Sequence, residues 1–369
     1  MKNIDISKKI MKLTEGTNKF VFFKGNAIDV LKEMHENSVD CCITSPPYWN
    51  LREYNINTKD NGNTIGNEKT PEEYVINLTK IIKELKRVLK KRGSFWLNLG
   101  DKYHNKNLMG MPWRVALAIQ SDGWILRNDV IWDQMKGTQS AKDRLRDSYE
   151  HLFHFVKEKK YYFDDKSIRI KPTAKATNKN GKIISATGVS GIKYKQQIEN
   201  STILSSEQKV AALAALNQTL GKLSDGTLVD FRMTIKGNQR AFHSDKTNVS
   251  GRAKELEKKG YYILTMKSSG FLPSDIWRIV PEDAWRKDAH YAVFPEELLS
   301  IPIKSTCPEG GVVLDPFCGT GSAVAAAINL KRKGVGIDLS KYYIGISKKR
   351  IRDIMKKRRQ QDLFDSHFV

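Results

Sequence analysis

Long apolar runs are missing from the 369 residues. No stretch approaches the roughly 18 to 20 consecutive apolar positions that span a bilayer. The opening MKNIDISKKIMKL also lacks the apolar centre of a secretion signal, so neither a membrane nor a secreted protein is expected. Cysteine is scarce. Cys41, Cys42, Cys307 and Cys318 show neither C-x-x-C spacing nor a disulfide pattern, which points to a reducing cytoplasm and implies no metal. Acidic residues are too few to balance the basic ones: 41 Asp and Glu face 63 Lys and Arg, a formal charge of +22. Such a chain repels itself unless a polyanion is near, so composition favours nucleic acid as partner. The apolar share of 40% still suffices for one large core or two modest ones.

Three zones follow one another. From Phe20 to about Phe163 the short apolar runs FVFF (20–23), VDCCIT (39–44), SFWLNL (94–99), WILRNDVIW (124–132) and HLFHFV (151–156) read as strands between helical patterns. Residues 71–91 are the clearest helix, with Thr70 as N-cap and Pro71 at the first helical position. Tyr74, Leu78, Ile81, Ile82, Leu85, Val88 and Leu89 form its apolar stripe, and Gly93 stands past its basic end as a stop. Strands alternating with helices predict an α/β fold around a parallel sheet. Between about Asp164 and Gly270 that rhythm breaks. Residues 166–195 carry Lys166, Arg169, Lys171, Lys175, Lys179, Lys182, Lys193 and Lys195 without one acid. A solvated loop is the plain reading, but a connection this long and basic is usually functional. Beyond it, GVVLD (311–315) and GVGID (334–338) read as buried strands around the helix SAVAAAINL (322–330). A last helix ends in Lys348, Lys349, Arg350, Arg352, Lys356, Lys357, Arg358 and Arg359, either a solvated face or a nucleic-acid contact. Residues 1–163 and 271–369 thus form two halves of one α/β domain, with 164–270 as a basic region between them.

Two loops carry chemistry. In DPFCGTGS, Asp315 to Ser322, Gly319 and Gly321 allow a tight turn and close approach of a ligand at a strand's carboxyl end. Asp338, closing the next strand, is placed to take both hydroxyls of a ribose. The loop departs from G-x-G-x-x-G and lacks the Lys-Ser/Thr of a phosphate loop, so S-adenosylmethionine suits it better than a nicotinamide or a nucleoside triphosphate. The second loop is Ser45-Pro46-Pro47-Tyr48-Trp49, after the strand VDCCIT. Two prolines offer no N–H, so it presents acceptors and an aromatic face, a surface for an exocyclic amine on a flat base. With both N–H groups held by the Ser45 hydroxyl and the Pro46 carbonyl, the nitrogen turns pyramidal and its lone pair can meet an electrophilic methyl, while Tyr48 stacks on the base. The nitrogen's proton becomes acidic as it attacks, so no dedicated base is required. His151, His154, Trp96 and Trp132 read as structural; Asp101 either lines the crevice or caps a turn.

TSPPYWNLREY with DPFCGTGS downstream resembles the β-class bacterial DNA amino-methyltransferases of restriction-modification type, in which the catalytic loop precedes the cofactor loop. The resemblance covers nearly the whole chain outside the middle region. It implies a Rossmann-like seven-stranded methyltransferase sheet with helices on both faces, circularly permuted so that GVVLD and GVGID are its first two strands and FVFFK its third. It implies S-adenosyl-L-methionine held by Asp315, Phe317, Cys318, Gly319, Thr320 and Gly321, with Asp338 at the ribose and Asp29 at the adenosine half. Phe294 and Pro295 would lie near the methionine end. It implies catalysis by Ser45, Pro46, Pro47 and Tyr48 on a base flipped out of duplex DNA. Trp49, Lys171, Lys175, Lys179 and Lys182 would face the DNA, with 164–270 as an inserted target-recognition region. The serine at the head of the loop favours N4 of cytosine, with N6 of adenine as the alternative, since both bases present the same amidine edge. The implied partners are double-stranded DNA, a restriction endonuclease acting on the same site and, as relatives are often dimers, a second copy. The implied location is a bacterial cytoplasm, at the nucleoid through DNA. A protein-glutamine or RNA methyltransferase is the competing class, but there the cofactor loop usually comes first and no long basic insertion is expected.

Overall fold

A computed structural model describes residues 3–50, 65–135, 142–179, 182–238, 251–281 and 295–366. The chain divides into two compact units, one of residues 1–167 and 274–369, the other of 168–273.

The larger unit is built on eight strands: β1 (Phe20–Lys24), β2 (Val39–Thr44), β3 (Leu89–Leu99), β4 (Ile125–Asp133), β5 (Tyr149–Val156), β6 (Ile276–Arg278), β7 (Val312–Asp315) and β8 (Lys333–Asp338). Their order across the sheet is β1-β8-β7-β2-β3-β5-β4-β6. Every pairing is parallel except the two made by β5, which runs antiparallel to β3 and β4. Where seven strands were expected, the described residues form eight, because the three residues of β6 add an edge beside β4. The carboxyl ends of β1, β8, β7, β2 and β3 therefore share one edge with the amino end of β5, and every functional loop discussed below leaves from it.

Side chains on β3 alternate between two cores. Phe95, Leu97 and Leu99 face helices α1 (Asn3–Thr14), α2 (Ala27–Glu33), α3 (Pro71–Val88) and α4 (Met111–Ser121), whereas Trp96 faces α5 (Glu296–Thr306) and α6 (Ser322–Asn329). The last helix, α7 (Lys341–Ser366), closes that second face over Phe22, Cys318 and Val324. Helix α3 starts as its sequence dictates. Thr70 accepts from the Glu73 amide while the Glu73 carboxylate reaches back to the Thr70 amide, a capping box worth about 1 kcal/mol. Its stripe is buried as expected. The expected end at Lys91 is corrected: the helix stops at Val88, and Lys90, Lys91, Arg92 and Gly93 already belong to β3. Burial of Leu89 against the start of β2 makes an immediate strand more favourable than another basic turn. Gly93 is needed for space, since a Cβ there would lie 2.8 Å from the Asp40 carbonyl oxygen.

The smaller unit holds its own apolar core, with Ile198, Leu216, Leu223, Phe231 and Ile235 at its centre. Two helices, Gly191–Glu199 and Ser206–Ser224, pack against the antiparallel pair Leu228–Ile235 and Tyr261–Lys267. Much of the basic stretch is ordered. Residues Thr177–Lys179 and Lys182–Ile184 form a small hairpin, on which Lys179 pairs in register with Lys182. None of the described helices is long and apolar enough to cross a membrane.

Candidate active site

The cofactor-type loop is shaped by its own main chain. Gly319 and Gly321 adopt φ of +47° and +78°, the left-handed region that glycine enters without strain. The Cys318 amide donates to the Ile337 carbonyl at 2.9 Å and the Gly321 amide to the Cys318 carbonyl at 2.7 Å. Asp338 then fastens the turn: Oδ2 accepts from the Gly319 amide at 2.9 Å and Oδ1 from the Ser340 amide at 2.7 Å. Burial raises the Asp338 carboxyl above its usual range, and these two amides pull the other way. Each carboxylate oxygen takes one main-chain donor and retains a lone pair. A Cβ on Gly319 would meet open space, so there is room over the turn. Gly336 makes the opposite demand, because a Cβ there would strike Phe22 at 2.6 Å and the Cys318 sulfur at 2.9 Å. Cys318 itself is buried packing, and burial holds its thiol well above the ordinary range.

Strand register places the other expected residues. Lys24 of β1 is level with Asp338, and the Gly25 amide donates to the Asp338 carbonyl at 3.0 Å, so α2 and the exposed Asp29 in its first turn begin beside Asp338. Pro295 caps α5, whose first residue, Glu296, pairs with Arg350; that guanidinium also donates to the Ser322 hydroxyl at 3.1 Å. Arg350 is therefore tied to the cofactor loop, and Arg358 donates to the Ile328 and Asn329 carbonyls that end α6. Of the basic run on α7, these two point inward, and Lys349, Arg352, Lys356 and Lys357 stay in solvent. Phe294 lies outside the described residues.

The two loops touch. Thr44, the last residue of β2, donates its hydroxyl to Asp315 Oδ1 at 2.6 Å, and the Phe317 amide donates to the same oxygen at 3.0 Å. Burial raises the Asp315 carboxyl to about 7, against the pull of these two donors and with the Asp338 charge adding to the rise.

Around the Ser45–Tyr48 loop the contacts are between side chains. The Tyr48 hydroxyl donates to Glu150 Oε2 at 2.6 Å and lies 3.1 Å from the Ser45 hydroxyl. Asn98 Nδ2 sits 2.7 Å from the Tyr48 hydroxyl, 2.6 Å from Glu150 Oε2 and 3.5 Å from the Ser45 hydroxyl. Gln134 Nε2 donates to Glu150 Oε1 at 2.7 Å. The Tyr48 ring lies against Gly100, where a Cβ would come within 2.9 Å of Tyr48 Cε2. The Pro47 carbonyl accepts from the Tyr74 hydroxyl at 3.0 Å, whereas among the described residues nothing donates to the Pro46 carbonyl.

Asn98, Gln134 and Glu150 escaped the sequence reading. Asn98 is the polar residue inside the buried run FWLNL, a detectable signal, whereas Glu150 precedes the apolar run HLFHFV and belongs to β5 all the same. Trp49 takes a different place from the one expected at the DNA. It is 4% exposed, and its indole donates to the Glu68 carbonyl at 3.0 Å, so it braces the loop from behind. Asp101 is a cap: its carboxylate accepts from the Met111 amide at the head of α4. His154 is buried, stacked on Trp96 at 4.1 Å and bonded to Ser94; burial lowers it to about 3. Lys171, Lys175, Lys179 and Lys182 are solvent-exposed in the smaller unit, which is described by itself.

A family model for DNA methylases of the N6/N4 type matches residues 39–349. The chain is 26% identical over 385 residues to the Type II methyltransferase M.SfiI of Streptomyces fimbriatus, covering 88% of this chain and 89% of that one. It is 26% identical over 357 residues to M.SmaI of Serratia marcescens, covering 89% of each. A more local match, 38% over 177 residues, joins 40% of the chain to 57% of M.XycI from Xanthomonas campestris pv. cyanopsidis. Among solved structures, PvuII DNA methyltransferase, described as cytosine-N4-specific, aligns with 90% of the chain and 86% of its own at a TM-score of 0.54 and 16% identity, a likeness of fold. A match across both loops and every strand from β2 to β8 leaves one conclusion: the chain belongs to the N6/N4 family of DNA methylases, alongside Type II methyltransferases.

Proposed function

We propose that this protein transfers a methyl group from S-adenosylmethionine to the N4 amine of a cytosine flipped out of duplex DNA. The observation that carries the reading is the 2.6 Å hydrogen bond from Thr44 to Asp315, which fastens the loop suited to an amine beside the loop suited to a nucleoside cofactor. The cofactor fits the residues present. Asp338 keeps lone pairs for two ribose hydroxyls, and Gly319 leaves space over the turn. When bound, the cofactor supplies an electrophilic methyl. The chain's own part is to hold the amine: Ser45 and the Pro46 carbonyl accept its hydrogens and orient it. The choice of cytosine rests on Ser45, a neutral hydroxyl at the head of the loop.

We further assign site choice to the smaller unit, where exposed lysines offer phosphate contacts to offset the cost of unstacking the target. Mass spectrometry of nucleosides from the DNA of a methylation-free host expressing the protein tests the base. N4-methyl-2′-deoxycytidine is the expected product. N6-methyl-2′-deoxyadenosine in its place would overturn the cytosine assignment, and the absence of both products would overturn the amine reading.

A further inference from the structure

The hydrogens around the catalytic loop can be assigned one by one, starting from the group with no choice. Glu150 as a carboxylate only accepts. Burial, and next the Glu150 charge, hold the Tyr48 phenol well above its usual range, so it keeps its single proton and spends it on Glu150. The Tyr48 oxygen is then an acceptor to its other neighbours, and the 3.1 Å contact with Ser45 uses the Ser45 hydrogen. Asn98 must turn its amide nitrogen toward Glu150 and Tyr48, since its oxygen there would face two acceptors. Both amide hydrogens are thereby used. Asn98 Oδ1 is left buried with no partner, in a residue 1% exposed. An orphaned buried acceptor of this kind calls for an explanation. The Pro46 carbonyl is likewise without a donor among the described residues.

We propose that Glu150, by absorbing the donors of Tyr48, Asn98 and Gln134, sets a one-way order of hydrogens that leaves Ser45 Oγ, Asn98 Oδ1 and the Pro46 carbonyl as acceptors only, so that the pocket admits an amine and rejects a carbonyl at the same ring position. Asn98 is then a binding residue for the target amine, and Glu150 a positioning residue that acts through Tyr48 and Asn98. The order distinguishes cytosine from uracil, or adenine from hypoxanthine, where ring shape alone does not. The inference rests on the amine-methylating reading above and goes beyond it in naming what enforces the choice of functional group.

The test measures binding, so that it is separate from turnover. Duplexes carrying the site mapped in the host DNA are made with the target base intact or deaminated, opposite an abasic position so that pairing strength does not enter. They are titrated with the full-length protein in the presence of S-adenosylhomocysteine. Wild-type protein is expected to prefer the amine by at least about 100-fold, as polar pockets discriminate. Glu150→Gln, which can donate where the carboxylate could not, brings the ratio to within about tenfold. Glu150→Asp, still acceptor-only, restores most of it, which a purely structural role would not require. Tyr48→Phe frees the Ser45 hydrogen and lowers the ratio as well, and it decides the matter if Glu150→Gln does not fold. A wild type that binds both duplexes alike, or variants that keep the wild-type ratio, would overturn the proposal. A protein that methylates neither cytosine nor adenine in the host would instead overturn the reading on which it rests.

Discussion

Around Asp338 the polar contacts are made by main-chain amides, those of Gly319 and Ser340, whereas around Glu150 they are made by the side chains of Tyr48, Asn98 and Gln134 from three separate segments. The difference teaches what each half of the site tolerates. Main-chain donors are fixed by backbone conformation and survive most side-chain exchange, provided the glycines remain. Side-chain donors depend on one residue each, and losing their shared acceptor takes a hydrogen bond from three groups at once.

The largest effect is therefore expected on the Glu150 side. Glu150→Ala should lower single-turnover methylation about 10²- to 10³-fold, the scale seen when one preorganised polar group is removed from an active site. Affinity for S-adenosylmethionine by calorimetry should stay within about twofold. A variant that loses cofactor affinity in step with turnover would break the comparison, because the two halves would then be one network.

Asp315 joins the halves, and its titration can be separated from that of His154. The folded-state carboxyl lies at about 7 against 3.8 ordinarily. The folded state thus binds that proton more tightly than the unfolded chain, and its stabilising contribution is present below pH 4 and lost as pH rises toward 7. His154 runs the other way. Lowered to about 3 from 6.5, it is neutral when folded, so stability rises with pH between those values. The two slopes oppose each other between about pH 4 and 6.5, each on the order of 4 to 5 kcal/mol across its full range. Asp315→Asn removes only the first. Urea unfolding of that variant should show stability climbing more steeply with pH than in wild type, and an unchanged slope would mean that Asp315 is ionised throughout.

On the cofactor side the expected effect is smaller. Asp338→Ala removes the acceptor of two amides and, on the proposed reading, of a ribose diol, about 1 to 3 kcal/mol or roughly 5- to 150-fold in cofactor affinity. At saturating cofactor its turnover should approach that of wild type, in contrast to Glu150→Ala. Calorimetry on the folded variant giving wild-type affinity would confine Asp338 to the turn itself.

The same contrast explains what could be read from the chain alone. A main-chain cradle needs glycines and an acid in close succession, so DPFCGTGS and GVGID declare it within two short runs. Helix α3 was equally legible, since its cap and stripe are local, but its end was not: whether Lys90 and Lys91 continue a helix or begin β3 is decided by pairing with Val39 and Cys41 of β2, far away in sequence. Glu150, Asn98 and Gln134 meet only because β5 is antiparallel between β3 and β4, which brings its first turn of chain to the edge where β3 and β4 end. No spacing along the sequence encodes that meeting. Arg350 likewise could be read as a basic residue on a basic helix, and only the packing of α7 over α6 assigns it to Ser322 and Glu296.

The smallest effect defines where the target side stops. Trp49 adjoins Tyr48 in sequence and has the ring to stack on a base, which made it a candidate for DNA contact. Its burial at 4% exposure and its bond to the Glu68 carbonyl put it behind the loop, together with the Tyr74 hydroxyl that holds the Pro47 carbonyl. Trp49→Phe keeps most of the apolar contact and removes the indole N–H. It should cost about 1 kcal/mol of stability, the value of one ordinary hydrogen bond, and change the rate of methylation less than about twofold. A stacking role would give the opposite pattern, with stability nearly unchanged and DNA affinity weakened, since a stacked base contributes about 1 to 3 kcal/mol. Urea midpoints and DNA titrations on the same preparation separate the two, and a loss confined to DNA binding would move Trp49 back among the groups that face the base.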